Sequence, residues 1–205
     1  MVEQKKYTEG LNSSCIVVLG LGNLIRSDDS VGLLALEQLE NDPRTPSHVS
    51  LVEGGTKGLD LLPYIFNASR LLVLDAVDVG APAGTVFRIA ADDIRSMPGK
   101  GSVHELALAD LLNAMRMMGQ EPEQVVLLGV QPLTTELGCV LSHPAQQALP
   151  ALIEAALTEL ARWAVPEELS IGAAPRAADI ETTVSISEGL IASESEKGSG
   201  LTPCA

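Results

Sequence analysis

The chain has 205 residues and a formal net charge of −14, and hydrophobic residues make up 46% of it although aromatic residues make up only 2%. A field of that sign repels phosphate backbones and anionic lipid surfaces, so the charge argues against nucleic-acid binding and against attachment to a membrane surface. No run of 18 apolar residues occurs, which argues against a membrane span, and three widely spaced cysteines argue against a disulfide framework and favour the reducing cytoplasm.

The first half of the chain predicts strands that alternate with helices. A short apolar run is followed by Gly20-Leu21-Gly22-Asn23, which is typical of a buried strand that enters a tight loop. Apolar side chains then recur at helical spacing, and the later run Leu71–Leu74 has no polar alternation, as expected of a central strand buried on both faces. The predicted strands are 15–19, 49–53 and 70–76, and the predicted helices are 30–41 and 58–66.

The second half continues the alternation. Residues 85–89 predict a short strand at an edge of the sheet, and Ser102-Val103-His104-Glu105 has the form of a capping box that starts a helix. A strand at 124–130 and a helix at 145–163 follow, and Pro150 predicts a kink or a restart in that helix. The alternation predicts an α/β fold, a three-layer sandwich with a mostly parallel five-stranded twisted sheet and helices on both faces.

The composition changes at Pro166. From there to Ala205 seven acidic residues stand against two basic ones, and no apolar period is sustained. Such a segment buries too little apolar surface to offset the entropy of ordering it, so we expect disorder or weak attachment to the domain. We therefore predict one α/β domain at residues 1–165 and an acidic, disordered tail at residues 166–205.

The glycines after the first strand invite a nucleotide-binding interpretation. A dinucleotide fingerprint needs a third glycine at position 25, where this chain has Ile25. Asp28 and Asp29 also stand where the helix N-terminus would have to meet a pyrophosphate, and two carboxylates would repel it. The sequence therefore predicts no nucleotide cofactor. The glycines allow the chain to turn sharply after the strand, whether or not a site of another kind lies beside that turn.

Polar residues follow several of the predicted strands. Ligands of open α/β sheets bind outside the carboxyl ends of the strands, so these residues are expected at one edge. Carboxylates and an imidazole from separate loops form a ligand set for a divalent metal. The start of a helix also disfavours imidazolium, which keeps a histidine neutral for coordination. The set consists of Asp28, Asp29, Glu53, Asp75, Asp78 and His104.

Each of these residues also has a structural interpretation. Asp28 or Asp29 fits an ordinary first-turn acid of the helix that follows. His104 fits a solvated residue of a first helical turn. Asp75 is different, because a carboxylate at the end of a buried strand needs partners, and this favours a functional role.

Four short motifs, taken in order, resemble the nickel-iron hydrogenase maturation endopeptidases. The resemblance spans roughly residues 16–160, and the acidic tail is not part of it. Each motif is short, but four in the same order with similar separations are specific. They are the segment Leu19–Gly32, Glu53-Gly54-Gly55-Thr56, Leu74-Asp75-Ala76, and the segment Val103–Asp110.

The resemblance implies a hydrolase with aspartyl endopeptidase activity that removes a C-terminal extension from the hydrogenase large-subunit precursor. Asp29, Asp75 and His104 correspond to the metal-contacting residues of the family, and Asp stands at position 29 where members carry either Glu or Asp. The metal implied is nickel, which arrives with the substrate. Glu53, Gly54, Gly55 and Thr56 are expected to contact the substrate, the two glycines because they let backbone approach a bound peptide closely.

Three alternatives share parts of this pattern. A metal-sensing checkpoint or chaperone module for hydrogenase assembly would need the same motifs without cleaving anything. A nucleotide-dependent oxidoreductase would need the glycine loop, which Ile25 and the paired aspartates weaken. A metallopeptidase of another kind could use a similar fold, because proteins that share a fold can have different functions.

Overall fold

Five strands form a single sheet. The structure, a computed structural model, describes residues 15–90, 93–94 and 103–164, and of residues 103–107 it describes the backbone alone. The strands are β1 (Ile16–Leu21), β2 (Ser50–Gly55), β3 (Arg70–Ala76), β4 (Val86–Ala90) and β5 (Gln124–Val130), in the order β2-β1-β3-β5-β4. All neighbouring pairs are parallel except β4 with β5, which is antiparallel. The predicted mostly parallel sheet is confirmed, as is the placement of residues 85–89 at an edge.

Helices cover both faces of this sheet. Ile16 and Val18 of β1 face one apolar cluster, and Val17 and Leu19 face the other, so β1 is buried on both sides. This burial on both faces explains why the sequence of the strand is a continuous run of apolar residues. The helices are α1 (Val31–Asn41) and α4 (His143–Ala164) on the first face, and α2 (Leu62–Ile65) and α3 (Val103–Met117) on the second. The three-layer α/β sandwich is confirmed.

Two helix predictions differ in detail from the structure. The helix expected at 58–66 is a 3-10 turn at Gly58–Leu61 followed by the short helix α2, because Pro63 lacks a backbone N–H and fits only the first turn of an α-helix. The helix expected at 30–41 is preceded by a 3-10 turn at Ser27–Ser30. In α4 the helix is continuous through Pro150, so it does not restart there.

The predicted boundary at residue 165 falls at the end of the described part of the chain. The tail at 166–205 lies outside the described residues, and the described residues all belong to one compact unit. Among them, no helix combines the length and the apolar character that crossing a membrane requires.

The strand order places a crevice between β1 and β3. From β1 the chain adds β2 on one side, and then crosses to add β3 on the other side. In a parallel sheet such a reversal leaves the loops after the two central strands on opposite faces, which opens a crevice at their carboxyl ends. Any site that the sheet itself creates is therefore expected where β1 and β3 end.

A buried carboxylate ties the edge strand β4 to α4. Glu159 is 6% exposed, and its oxygens accept hydrogen bonds from Arg88 of β4 at 3.1 and 3.2 Å and from Arg162 at 3.1 Å. Burial by itself raises the pKa of Glu159, but the hydrogen bonds and positive charges of Arg88 and Arg162 outweigh it and lower the pKa below its ordinary value. Glu159 is thus held ionised at neutral pH.

Replacing Glu159 with glutamine is expected to reduce the free energy of unfolding by about 2 kcal/mol at pH 7. Because the pKa is depressed in the folded state, this contribution is present above the ordinary carboxyl pKa and is lost as the pH falls through the folded value. Urea unfolding of both proteins at several pH values should show their difference shrinking in acid. Glu154→Gln, on an exposed carboxylate of the same helix, is the control and should change little. A pH-independent difference would contradict the ionised pairing.

Candidate active site at the carboxyl edge of the sheet

Asp29 and Asp75 lie near the carboxyl ends of two neighbouring strands. β1 and β3 pair in parallel, Asp75 lies near the end of β3, and Asp29 lies in the 3-10 turn that follows β1 and packs against β3. Asp29 is 3% exposed and Asp75 is 1% exposed. Burial of two carboxylates at the rim of one sheet is unusual, because ionised groups lose hydration there. Such a pair is a strong candidate for a functional centre.

Two glycines hold the turn that carries Asp29 directly over the strand ends. Gly22 has φ +124°, and a Cβ on it would lie 1.8 Å from the carbonyl oxygen of Asp29. A Cβ on Gly32 would lie 2.2 Å from the carbonyl oxygen of Leu74, the residue before Asp75. Only glycine permits both approaches. The glycines therefore do more than turn the chain, since they fix the spacing between the 27–30 turn and the end of β3.

The Asp75 carboxylate is oriented by its own strand. Its Oδ1 accepts a hydrogen bond of 2.8 Å from the backbone N–H of Ala76. A carboxylate fixed at a strand end in this way has few accessible rotamers, so it loses little conformational entropy when it binds a ligand.

The backbone of His104 belongs to the first turn of α3. This helix is about 22 Å long at 1.5 Å per residue, and it ends at Met117, shortly before β5 begins at the amino edge of the sheet. Its first turn therefore lies towards the carboxyl edge, and α3 packs against the 58–61 turn that follows β2. The side chain of His104 lies outside the described residues.

The metal trio predicted from sequence is thus described for two of its three members. Among the side chains that the structure describes, which exclude that of His104, no three His, Cys, Asp or Glu residues are grouped so that they could hold a metal ion. Carboxylate oxygens are hard ligands of the kind that divalent ions prefer, and the metal trio stays a prediction.

The segment Glu53–Thr56 lies beside the same crevice, at the end of β2. The carbonyl of Gly55, which has φ +53°, accepts a 3.2 Å hydrogen bond from the N–H of Gly22. A Cβ on Gly54 would lie 2.7 and 2.8 Å from apolar side chains of β1, so glycine at this position serves packing within the sheet. Glu53 and Thr56 are exposed. Of the four predicted substrate contacts, Glu53 and Thr56 are therefore the ones that present side chains to solvent.

Asp28 has a structural task that differs from that of Asp29. Its Oδ2 accepts hydrogen bonds from the N–H of Leu133 (2.8 Å), the N–H of Thr134 (3.2 Å) and the hydroxyl of Ser142 (2.8 Å). Its Oδ1 accepts one of 2.6 Å from the N–H of Ser142. One buried carboxylate thus fastens both ends of the 133–142 loop to the 27–30 turn. Of the two adjacent acids, Asp28 is the structural one.

Gln131, which was not predicted from the sequence, performs a similar task after β5. Its Oε1 accepts hydrogen bonds from the N–H groups of Val79 and Ala81 at 2.9 and 3.1 Å, and its Nε2 donates one of 2.9 Å to Asp78. The hydrogen bonds from Gln131 and from the N–H of Gly80 lower the pKa of Asp78. Asp78 therefore shapes the loop after β3. A polar residue directly after a buried strand was the signal available for Gln131.

Comparison with known proteins identifies the chain. The family model HycI, hydrogenase maturation protease, matches residues 34–159. The chain belongs to the hydrogenase maturation protease family. Like the other members of this family, it is a peptide hydrolase, and the resemblance inferred from the four motifs is confirmed.

Individual relatives and structures agree with this assignment. The maturation protease is 35% identical over 153 residues to the hydrogenase expression/formation protein HupD of Rhizobium leguminosarum bv. viciae, covering 73% of this chain and 76% of the relative. It is 32% identical over 161 residues to the hydrogenase 2 maturation protease of Escherichia coli (strain K12), covering 73% and 98%. The structure of the hydrogenase maturating endopeptidase HybD from Escherichia coli superposes with a TM-score of 0.69 at 29% identity, covering 73% of this chain and 94% of that chain.

Proposed function

We propose that this maturation protease removes the C-terminal extension of a nickel-loaded nickel-iron hydrogenase large-subunit precursor. The observation that carries the proposal is the pair of buried carboxylates, Asp29 and Asp75, at the crevice between β1 and β3 of a chain in this family. We further propose that the enzyme acts in the cytoplasm, where free thiols such as those of Cys15 and Cys139 persist.

In this proposal Asp29, Asp75 and His104 contact the nickel that the precursor carries. Two carboxylates and an imidazole suit a divalent ion of this kind. Contact with the ion would then place the scissile peptide bond in the crevice. Binding of a loaded precursor would thereby position that bond for hydrolysis. Glu53, Gly54, Gly55 and Thr56 would line the path of the extended peptide beside β2. A precursor without nickel would lack the anchor, and its extension would stay uncut.

Hydrolysis then adds water across the peptide bond. The water oxygen attacks the carbonyl carbon, the bond from that carbon to nitrogen breaks, and the water proton passes to the leaving nitrogen. The nickel of the substrate would promote this attack by lowering the pKa of the water or by polarising the carbonyl. Alternatively, a carboxylate at the crevice would act as a general base and take the proton from the water. Burial of Asp29 and Asp75 strengthens either effect, because charges interact more strongly where water is excluded.

Mass spectrometry of a large-subunit precursor tests the proposal. The precursor is prepared with and without nickel, incubated with the full chain, and weighed before and after. We expect the nickel-loaded precursor to lose the mass of one C-terminal peptide and the nickel-free precursor to keep its mass. A complex that forms with the loaded precursor but leaves its mass unchanged would contradict proteolysis and identify a metal-sensing checkpoint instead.

A further inference from the structure

Exposed apolar side chains are concentrated beside the crevice. Ten large apolar side chains are exposed among the described residues, and five of them come from two short segments, 24–25 and 133–140. A concentration of this kind on a folded domain marks a surface for another macromolecule, whereas single exposed residues need no explanation. The five are Leu24 (51% exposed), Ile25 (57%), Leu133 (62%), Leu137 (78%) and Val140 (70%), here called the rim patch.

Backbone hydrogen bonds join the two segments into one surface. The N–H of Gly138 donates to the carbonyl of Ile25 at 3.0 Å, and the N–H of Ser27 donates to the carbonyl of Gly138 at 2.7 Å. Leu137 directly precedes Gly138, Val140 follows it by two residues, and Leu24 precedes Ile25. A Cβ on Gly138 would lie 2.6 Å from Oγ of Ser27, so glycine allows this close pairing.

The rim patch is also held rigid. The Asp28 carboxylate accepts hydrogen bonds from both ends of the 133–142 loop, and Asp28 is 1% exposed. Apolar groups on a preorganised loop bind a partner with little loss of conformational entropy. Backbone hydrogen bonds from Ser27 to Gly138 and from Asp28 to Thr134 also tie the 133–140 segment to the turn that carries Asp29.

We propose that the rim patch is the docking surface for the folded body of the hydrogenase large-subunit precursor. This inference rests on the proposed function. Leu24 and Ile25 are separated by Arg26 alone from the turn that carries Asp29, so the rim patch adjoins the place where we propose that the scissile bond is held. Contact with the patch would supply affinity that the few residues around the cleaved bond cannot.

Charge selects this occupant over a second copy of the chain. The two segments carry one charged side chain, Glu136, which the adjoining Arg26 offsets, in a protein of net charge −14. Two copies approaching each other would repel over their whole surfaces, whereas the patch itself is close to neutral and suits an apolar partner surface.

Replacing Leu137 and Val140 together with serine tests the inference. Both side chains are exposed, so the fold should tolerate the change. Cleavage of the nickel-loaded precursor is measured over a range of precursor concentrations. We expect the half-saturating concentration to rise about tenfold while the rate at saturation stays within about twofold, because the substitutions remove affinity and leave the crevice intact. The control is Met117→Ser/Met118→Ser, which removes two exposed apolar side chains at the far end of α3, and it should behave as wild type.

The possible results separate the two proposals. If the wild type cleaves and the Leu137→Ser/Val140→Ser protein has the same half-saturating concentration, the docking surface is wrong and the proposed function stands. If that variant cleaves more readily than wild type, the patch is covered by the chain's own residues 166–205, which overturns the assignment of the precursor as occupant. If the wild type neither binds nor cleaves the loaded precursor, the proposed function fails, and the docking inference fails with it.

Discussion

Replacing Asp29 with asparagine is expected to slow cleavage of the nickel-loaded precursor by about a thousandfold, equivalent to about 4 kcal/mol of transition-state stabilisation. Asparagine has the same size, so the 27–30 turn and its packing over β3 should persist. What it removes is the negative charge that, in our proposal, holds the nickel of the substrate. Asp75→Asn should have the same effect, and so should His104→Ala, because all three residues are proposed to contact one ion.

Gel assays of extension removal measure this loss, and urea unfolding shows whether each variant is folded. Asp60→Asn is the matched control, since Asp60 is an exposed aspartate in the 58–61 turn of the same part of the molecule. Its cleavage rate should equal that of wild type. Normal cleavage by any one of the Asp29, Asp75 or His104 variants would remove that residue from the site.

Replacing Asp28 with asparagine is expected to affect stability and not cleavage, the reverse of the Asp29 variant. The free energy of unfolding should fall by about 3 kcal/mol. The Asp28 carboxylate accepts from three N–H groups and one hydroxyl, and a carboxylate is the only side chain of this size whose two oxygens both accept. The amide nitrogen of asparagine cannot accept a hydrogen bond. The N–H or hydroxyl donors that face this nitrogen would therefore be buried without an acceptor. Urea unfolding measures the change.

Asp60→Asn again serves as the control and should leave the urea midpoint unchanged. Activity adds a second readout, because any Asp28→Asn protein that stays folded should keep a large share of its saturating cleavage rate. A stable Asp28→Asn protein with no activity would mean that the roles assigned to the two adjacent aspartates are exchanged.

Most of the architecture was predictable from the sequence because the signals were local. The run Leu71–Leu74 could only be buried on both faces, and β3 has the predicted bounds of 70–76, as β5 has the predicted bounds of 124–130. The helix predicted at 58–66 is an α-helix only at Leu62–Ile65, because Pro63 fits only the first turn of an α-helix and the residues before it form a 3-10 turn. Apolar periodicity does not register this effect of proline.

The positions of the candidate residues in the fold were predictable from the sequence, but the partners that distinguish one residue from another were not. The rule that polar residues after strands converge placed Asp29 and Asp75 at one edge, and the structure puts both there. It could not separate Asp28 from Asp29, because the partners of Asp28 lie more than 100 residues away in a loop with no regular structure. Gln131 was overlooked for the same reason, since its hydrogen bonds reach back to residues around Val79.

The hydrogen bonds of the Asp28 carboxylate also have a consequence for how this part of the molecule is expected to fluctuate. Loops on protein surfaces usually open independently of the elements they connect. Here the 133–142 loop cannot lift away from the 27–30 turn without removing the donors of a buried carboxylate, so we expect the two segments to open together. If the rim patch contacts the precursor as we propose, local opening at Asp28 would weaken docking of the precursor even in a protein whose crevice remains intact.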